Sequence, residues 1–127
     1  MNYITKGDTI IFSPDFNDDL DIGLISNYAK LIFSNYTLDN KLFKAYENND
    51  FHDNHFNGLY YKCSKFNQKV NNLPYSLTHI TFSDDFNQKV NDLPQTITHL
   101  IFGWCFNQEV NKLPQNLIHL TFGLPRI

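Results

Sequence analysis

From Phe66 to Pro125 one pattern is written three times in succession: FNQKVNNLPYSLTHITFSDD, then FNQKVNDLPQTITHLIFGWC from Phe86, then FNQEVNKLPQNLIHLTFGLP from Phe106, with nine of the twenty positions identical in all three. A unit this short cannot enclose a core of its own, so it must bury its apolar side against copies of itself, and the chain is expected to be a repeat solenoid. Within each unit Ile80-Thr81-Phe82, Leu100-Ile101-Phe102 and Leu120-Thr121-Phe122 alternate with period two, marking a strand with one buried face. Pro74, Pro94 and Pro114 would each remove a ladder donor, which puts them in the return segment of a coil. Phe66, Phe86 and Phe106, with Val70, Val90 and Val110, then fill the interior on the far side. Twenty residues are too few for a full crossover helix, so the returns are extended or hold one helical turn at most.

The same grammar appears upstream in weaker form. Ile10-Ile11-Phe12, followed by Phe16, Asn17 and Leu20, copies the spacing of the regular units, and Leu31-Ile32-Phe33 follows with one residue inserted. Leu38, Leu42 and Tyr46 recur every fourth residue and predict a short amphipathic helix on the return side. Leu59-Tyr60-Tyr61 reads as a further strand. The expected architecture is a single, mainly β solenoid over residues 1–127 with a parallel sheet on one face and about six coils. Its parts are degenerate N-terminal coils over 1–36, an enlarged coil with a short helix over 37–65, and three regular repeats over 66–127.

Bulk properties narrow the partners. The net charge is −3 and the cations are scattered, so a phosphate backbone would gain little from counterion release and nucleic acid is not expected as a partner. No stretch has the length and apolarity of a bilayer span, and none near Met1 resembles a signal peptide. The expected location is a cytoplasm rather than the secretory route. Cys63 and Cys105 show neither Cys-x-x-Cys spacing nor a paired histidine and read as two buried thiols in a reducing compartment, with no metal and no cofactor implied.

The FNQ-x-V-N-x-LP core ending in H-[IL]-x-F resembles the FNIP repeat, a leucine-rich-repeat relative abundant in social amoebae and in giant viruses of amoebae. LPQTITHLIF is also similar to the strand segment of short bacterial leucine-rich repeats. Both resemblances imply a parallel sheet lining one face of a curved solenoid. Where typical leucine-rich repeats place a buried Asn or Cys, this chain has Asp85, Cys105 and Pro125, and its asparagines fall two residues later, at Asn67, Asn87 and Asn107. FNIP proteins often carry an N-terminal F-box, whereas residues 1–60 offer one helix rather than three, so an adaptor role is not carried over.

Asn67, Asn87 and Asn107 are read as a buried structural ladder that satisfies backbone groups at tight corners. His79, His99 and His119 precede an inward residue in successive coils and should form an outward column at roughly the 4.8 Å strand spacing. Thr81, Ile101 and Thr121 stand beside them, followed by Ser83, Gly103 and Gly123, and Trp104 lies at a strand exit. These residues, Trp104 included, make the sheet face the expected protein-binding surface. His52 and His55 sit in a loop-forming FHDNHFNG context, and Asp15, Asp18, Asp19 and Asp21 lack calcium-loop spacing and read as a solvated corner. No nucleophile elbow, phosphate loop or zinc-protease motif is present. The expected function is a non-catalytic protein–protein interaction scaffold, self-associating through open solenoid ends because the chain stops five residues after the last strand without a polar cap. The alternatives are a component of a viral particle or other large assembly and, last, a metal protein or enzyme built on the histidine column.

Overall fold

A computed structural model describes residues 2–33 and 64–123. Its strands are β1 (Tyr3–Lys6), β2 (Thr9–Phe12), β3 (Lys30–Phe33), β4 (His79–Thr81), β5 (His99–Phe102) and β6 (His119–Phe122), and one helical turn, α1 (Ile22–Ile25), lies between β2 and β3. They form one six-stranded sheet in chain order. β2 through β6 pair in parallel, each exactly repeat-related partner in register: His79 with His99 with His119, Ile80 with Leu100 with Leu120. The strands open at the histidine, one residue before the alternation read from sequence.

β1 has no counterpart in the repeat pattern. It runs antiparallel to β2, with Tyr3 opposite Phe12 and Lys6 opposite Thr9. The reversal is made at Gly7, whose φ of 58° is the conformation a tight hairpin demands and a side chain resists. The acidic stretch that follows β2 is a solvated corner, with Asp15, Asp18, Asp19 and Asp21 all exposed, and two of its carboxylates have local partners: Asp21 caps α1 by accepting from the Leu24 N–H at 3.0 Å, and Asp15 pairs with Lys65 at 3.8 Å.

Two files of phenylalanine run through the core. Phe12, Phe33, Phe102 and Phe122 come from the strands and Phe82 from the residue after β4, and Phe16, Phe66, Phe86 and Phe106 come from the corner beyond them. Each coil joins one ring of each file: Phe12–Phe16 at 4.4 Å, Phe33–Phe66 at 4.1 Å, Phe82–Phe86 at 4.0 Å and Phe102–Phe106 at 3.8 Å. Between coils the rings lie offset, Phe66 to Phe86 at 6.1 Å and Phe82 to Phe102 at 5.5 Å, a spacing favoured by the ring quadrupole. Val70, Leu73 and Leu77, then Val90, Leu93 and Ile97, close the return side. The prolines open its turns, the carbonyls of Pro74, Pro94 and Pro114 accepting from the N–H of Leu77, Ile97 and Leu117.

The Phe33–Phe66 pair locates the enlargement of the chain. Paired strand positions are 20 residues apart from His79 to His99 but 49 apart from Lys30 to His79, so this coil carries 29 extra residues. They enter after Phe33, at the strand exit, and β3 still pairs directly with β4. The helix expected over 38–46, the strand at Leu59–Tyr61, His52, His55 and Cys63 lie outside the described residues.

The asparagine ladder is present but sits at the surface rather than buried. Asn17 Oδ1 accepts from the Asn67 N–H, Asn67 Oδ1 from that of Asn87, and Asn87 Oδ1 from that of Asn107, at 2.8–2.9 Å. Gln68, Gln88 and Gln108 donate through Nε2 to the asparagine one coil back. Asn67 and Asn107 are exposed because the corner turns outward here, and the amides serve the rim of the stack rather than its centre. Cys105 is exposed in the same corner region, which corrects its reading as a buried thiol. Ser83 is fully buried, its Oγ donating to the Phe66 carbonyl at 2.6 Å, so it is not part of an outer surface.

Candidate interaction surface

Residues on either side of a core-facing strand position point away from the core. The outer face therefore shows two rows. One contains Lys30, His79, His99 and His119; the other contains Ile32, Thr81, Ile101 and Thr121. Accessibility increases toward β6: Ile11 is buried, Ile32 and Thr81 half-buried, and Ile101 and Thr121 exposed. Trp104 is exposed too, but it stands in the corner after β5 rather than on the sheet, its backbone N–H donating to Asp84 Oδ1 at 3.4 Å.

The histidines stack face to face. His79 and His99 have ring centroids 4.1 Å apart and 9° from parallel; His99 and His119 are at 5.8 Å and 19°. A threonine sets the first two rings: Thr78 Oγ1 lies 2.8 Å from His79 Nδ1, and Thr98 Oγ1 lies 2.8 Å from His99 Nδ1. Each hydroxyl also donates to a backbone carbonyl one coil back, Ala29 or Thr78, at 3.3 Å. A hydroxyl has one proton, so both contacts are met together when Nδ1–H donates to Oγ1. In the third coil the preceding residue is Ile118, which has no hydroxyl, and the His119 ring instead sets Nε2 3.2 Å from Thr121 Oγ1. That change of partner explains the wider second stacking distance.

Stacked imidazoles send their nitrogens side by side rather than toward one point. Among the described residues no group of three or more His, Cys, Asp or Glu side chains is placed to hold a metal ion. Burial, the neighbouring His99 and Lys30 together hold the His79 pKa below its usual value of 6.5, against a smaller opposing pull from Asp8. A histidine pKa that is lower folded than unfolded favours folding above about pH 6.5, and that contribution is lost as pH falls through the folded value. The expected result is a melting temperature that declines between pH 7.5 and pH 5, with a smaller decline in His79→Gln; equal slopes in thermal melts of the two proteins would show that His79 is not responsible.

The opposite, return side holds a feature absent from the sequence reading: a groove of about 410 Å³ lined by Lys69, Asn71, Gln88, Lys89, Asp92 and Gln108. Of these, Gln88 and Gln108 are already engaged in the amide ladder, donating to Asn67 and Asn87. Its only sequence signal was the repeated N-Q-[KE] triplet.

Residues 66–91 and 89–124 match the family model described as FNIP Repeat. Residues 66–124 are FNIP repeats. The solved structure of CroV588, a circular LRR protein of a giant virus, is similar over 97% of this chain at 27% identity and a TM-score of 0.60. The chain spans about a fifth of that protein's length, 19%. No curated protein matches the chain. The FNIP repeats and the parallel sheet together make this a leucine-rich-repeat-like solenoid, and the less regular coil formed around β2 and β3 stacks on the FNIP array through the same phenylalanine files.

Proposed function

We propose that the chain is a non-catalytic scaffold for protein–protein contact and that the outer sheet face is its contact surface. The observation that carries this reading is the registered display of one His and one Ile or Thr per coil on a frame held by a continuous core. A solenoid of this kind offers many side chains at fixed spacing, and leucine-rich-repeat-like proteins generally bind proteins. Catalysis is not part of the reading, since repeat folds of this family are typically non-catalytic. Nor are nucleic acid and membrane partners.

A second copy of the chain is included among the proposed partners. The outer edge of β6 has no neighbour among the described residues, and Ile118, Leu120 and Phe122 are exposed there where Leu100 and Phe102 are covered. A further coil of the same repeat would cover them. A role as a component of a large assembly, in a virion or in the host cytoplasm, is the alternative favoured by the likeness to a circular LRR protein of a giant virus. One experiment addresses these readings: affinity capture from the native host cell with the wild-type chain and with Ile101→Glu at pH 7.5. The expected outcome is a protein partner lost in the variant while urea unfolding stays cooperative. Recovery of the chain itself identifies self-association, recovery of particle proteins the assembly role, and capture unaffected by Ile101→Glu removes the sheet face as the contact surface.

A further inference from the structure

The histidine row does not begin at β3. Lys6 pairs with Thr9, Thr9 with Lys30, and Lys30 with His79, so one registered row runs Lys6, Thr9, Lys30, His79, His99, His119 across all six strands. None of these strands contains an Asp or Glu, although acids outnumber Lys and Arg by 13 to 10 in the chain. The second outward row, from Ile4 through Ile11, Ile32, Thr81 and Ile101 to Thr121, is uncharged along its whole length. An acidic molecule thus shows a sheet face whose charged side chains are all basic. Among the described residues the charged and titratable groups that bear on His79 are Asp8, in the hairpin turn, Lys30 on β3 and His99 on β5.

We propose that this row is a docking ridge for an acidic, extended protein segment lying across the strands, gripped more tightly as the histidines take up protons. The inference rests on the sheet face being the contact surface and adds the partner's chemistry and its regulation. Five strand spacings of about 4.8 Å give a ridge of roughly 24 Å, the length of about seven extended residues. An imidazole is the side chain that changes charge between pH 5 and 8, so acidification adds positive charge beside two lysines that carry it already. The rings are oriented for this: Nδ1 of His79 and of His99 stays on its threonine hydroxyl in the charged form, leaving Nε2–H to donate to a carboxylate. A positive charge on the His99 ring 4.1 Å away disfavours charging His79. A carboxylate laid over them offsets that repulsion, so proton uptake and acidic ligand reinforce each other.

The test uses a fluorescein-labelled ten-residue peptide of alternating Glu and Ser, titrated with the full chain by fluorescence anisotropy at pH 7.5 and 5.5 at constant ionic strength. The peptide is expected to bind roughly tenfold more tightly at pH 5.5, as two or three added exposed charge pairs supply. His99→Gln combined with His119→Gln should remove most of that gain, with circular dichroism confirming the fold, and a Gln-Ser peptide should not bind. Affinity independent of pH, a gain that survives the double substitution, or equal affinity for a ten-residue oligothymidylate overturns the proposal. If the peptide shows no pH dependence while Ile101→Glu still abolishes capture at pH 7.5, the contact surface stands and the acidic partner falls.

Discussion

Phe66→Ala is expected to destabilise the chain by about 4 kcal/mol, in the range for removing a fully buried phenylalanine ring from a core that cannot collapse around the gap. The side chain is completely buried. It contacts Phe33 at 4.1 Å within its own coil, Phe16 at 5.9 Å on one side and Phe86 at 6.1 Å on the other. It is the ring that joins the irregular coils around β2 and β3 to the FNIP array. In a solenoid each coil is stabilised by its neighbours, so the loss should also divide the unfolding transition, with the FNIP array melting apart from the N-terminal part. Phe122→Ala, at a ring 44% exposed, should cost less than half as much. Urea unfolding followed by circular dichroism measures both; a similar loss in the two variants, or a single unsplit transition for Phe66→Ala, would show that Phe66 does not couple the two parts.

Gly103→Ala should cost about 3 kcal/mol, the upper end of ordinary overpacking. A Cβ at Gly103 would lie 2.2 Å from the Ser83 carbonyl oxygen and 2.6 Å from the Asp84 Cα, and both are backbone atoms of the coil below. Nothing flexible is there to yield, so the coils must separate locally and the hydrogen bond from the Cys105 N–H to the Asp84 carbonyl, at 2.8 Å, is strained with them. The contrasting substitution is Gly23→Ala in α1, where a Cβ meets only Asp21 Oδ1 at 3.5 Å. There alanine should stabilise by up to about 1 kcal/mol through helix propensity. Thermal melts showing both glycine substitutions neutral would mean that the corner has room it does not show.

The strands were legible because their signal is local: one face of a sheet requires period two, and Ile80-Thr81-Phe82 and its copies show it without ambiguity. The positions of His79, His99 and His119 on the outer face followed from the same alternation. Features that depend on how coils meet were harder to read. Ser83, Gly103 and Gly123 look like a small-residue surface along the chain, but Ser83 turns inward to the Phe66 carbonyl and Gly103 exists to let two backbones approach. Asn67 looked buried because tight corners leave backbone groups to satisfy, and Cys105 because it lacks metal or redox spacing, whereas this corner leaves both exposed. β1 was missed since its four residues copy no repeat, although Lys6-Gly7-Asp8 between two β-prone stretches was an available hairpin signal. The continuity of Lys6 and Lys30 with the histidines is invisible in one dimension, because the residues that make the row are separated by 2 to 48 others.

The 29 residues that enter after Phe33 leave the pairing of β3 with β4 and the contact of Phe33 with Phe66 unchanged. Lengthening that connection about tenfold costs only about 2 kcal/mol of loop-closure entropy, since the cost grows with the logarithm of length. Coil geometry here is therefore addressed by matching surfaces and not by counting residues along the chain. The strand exit is a socket at which such an array can accept foreign sequence while the ruler that spaces its outer face stays calibrated.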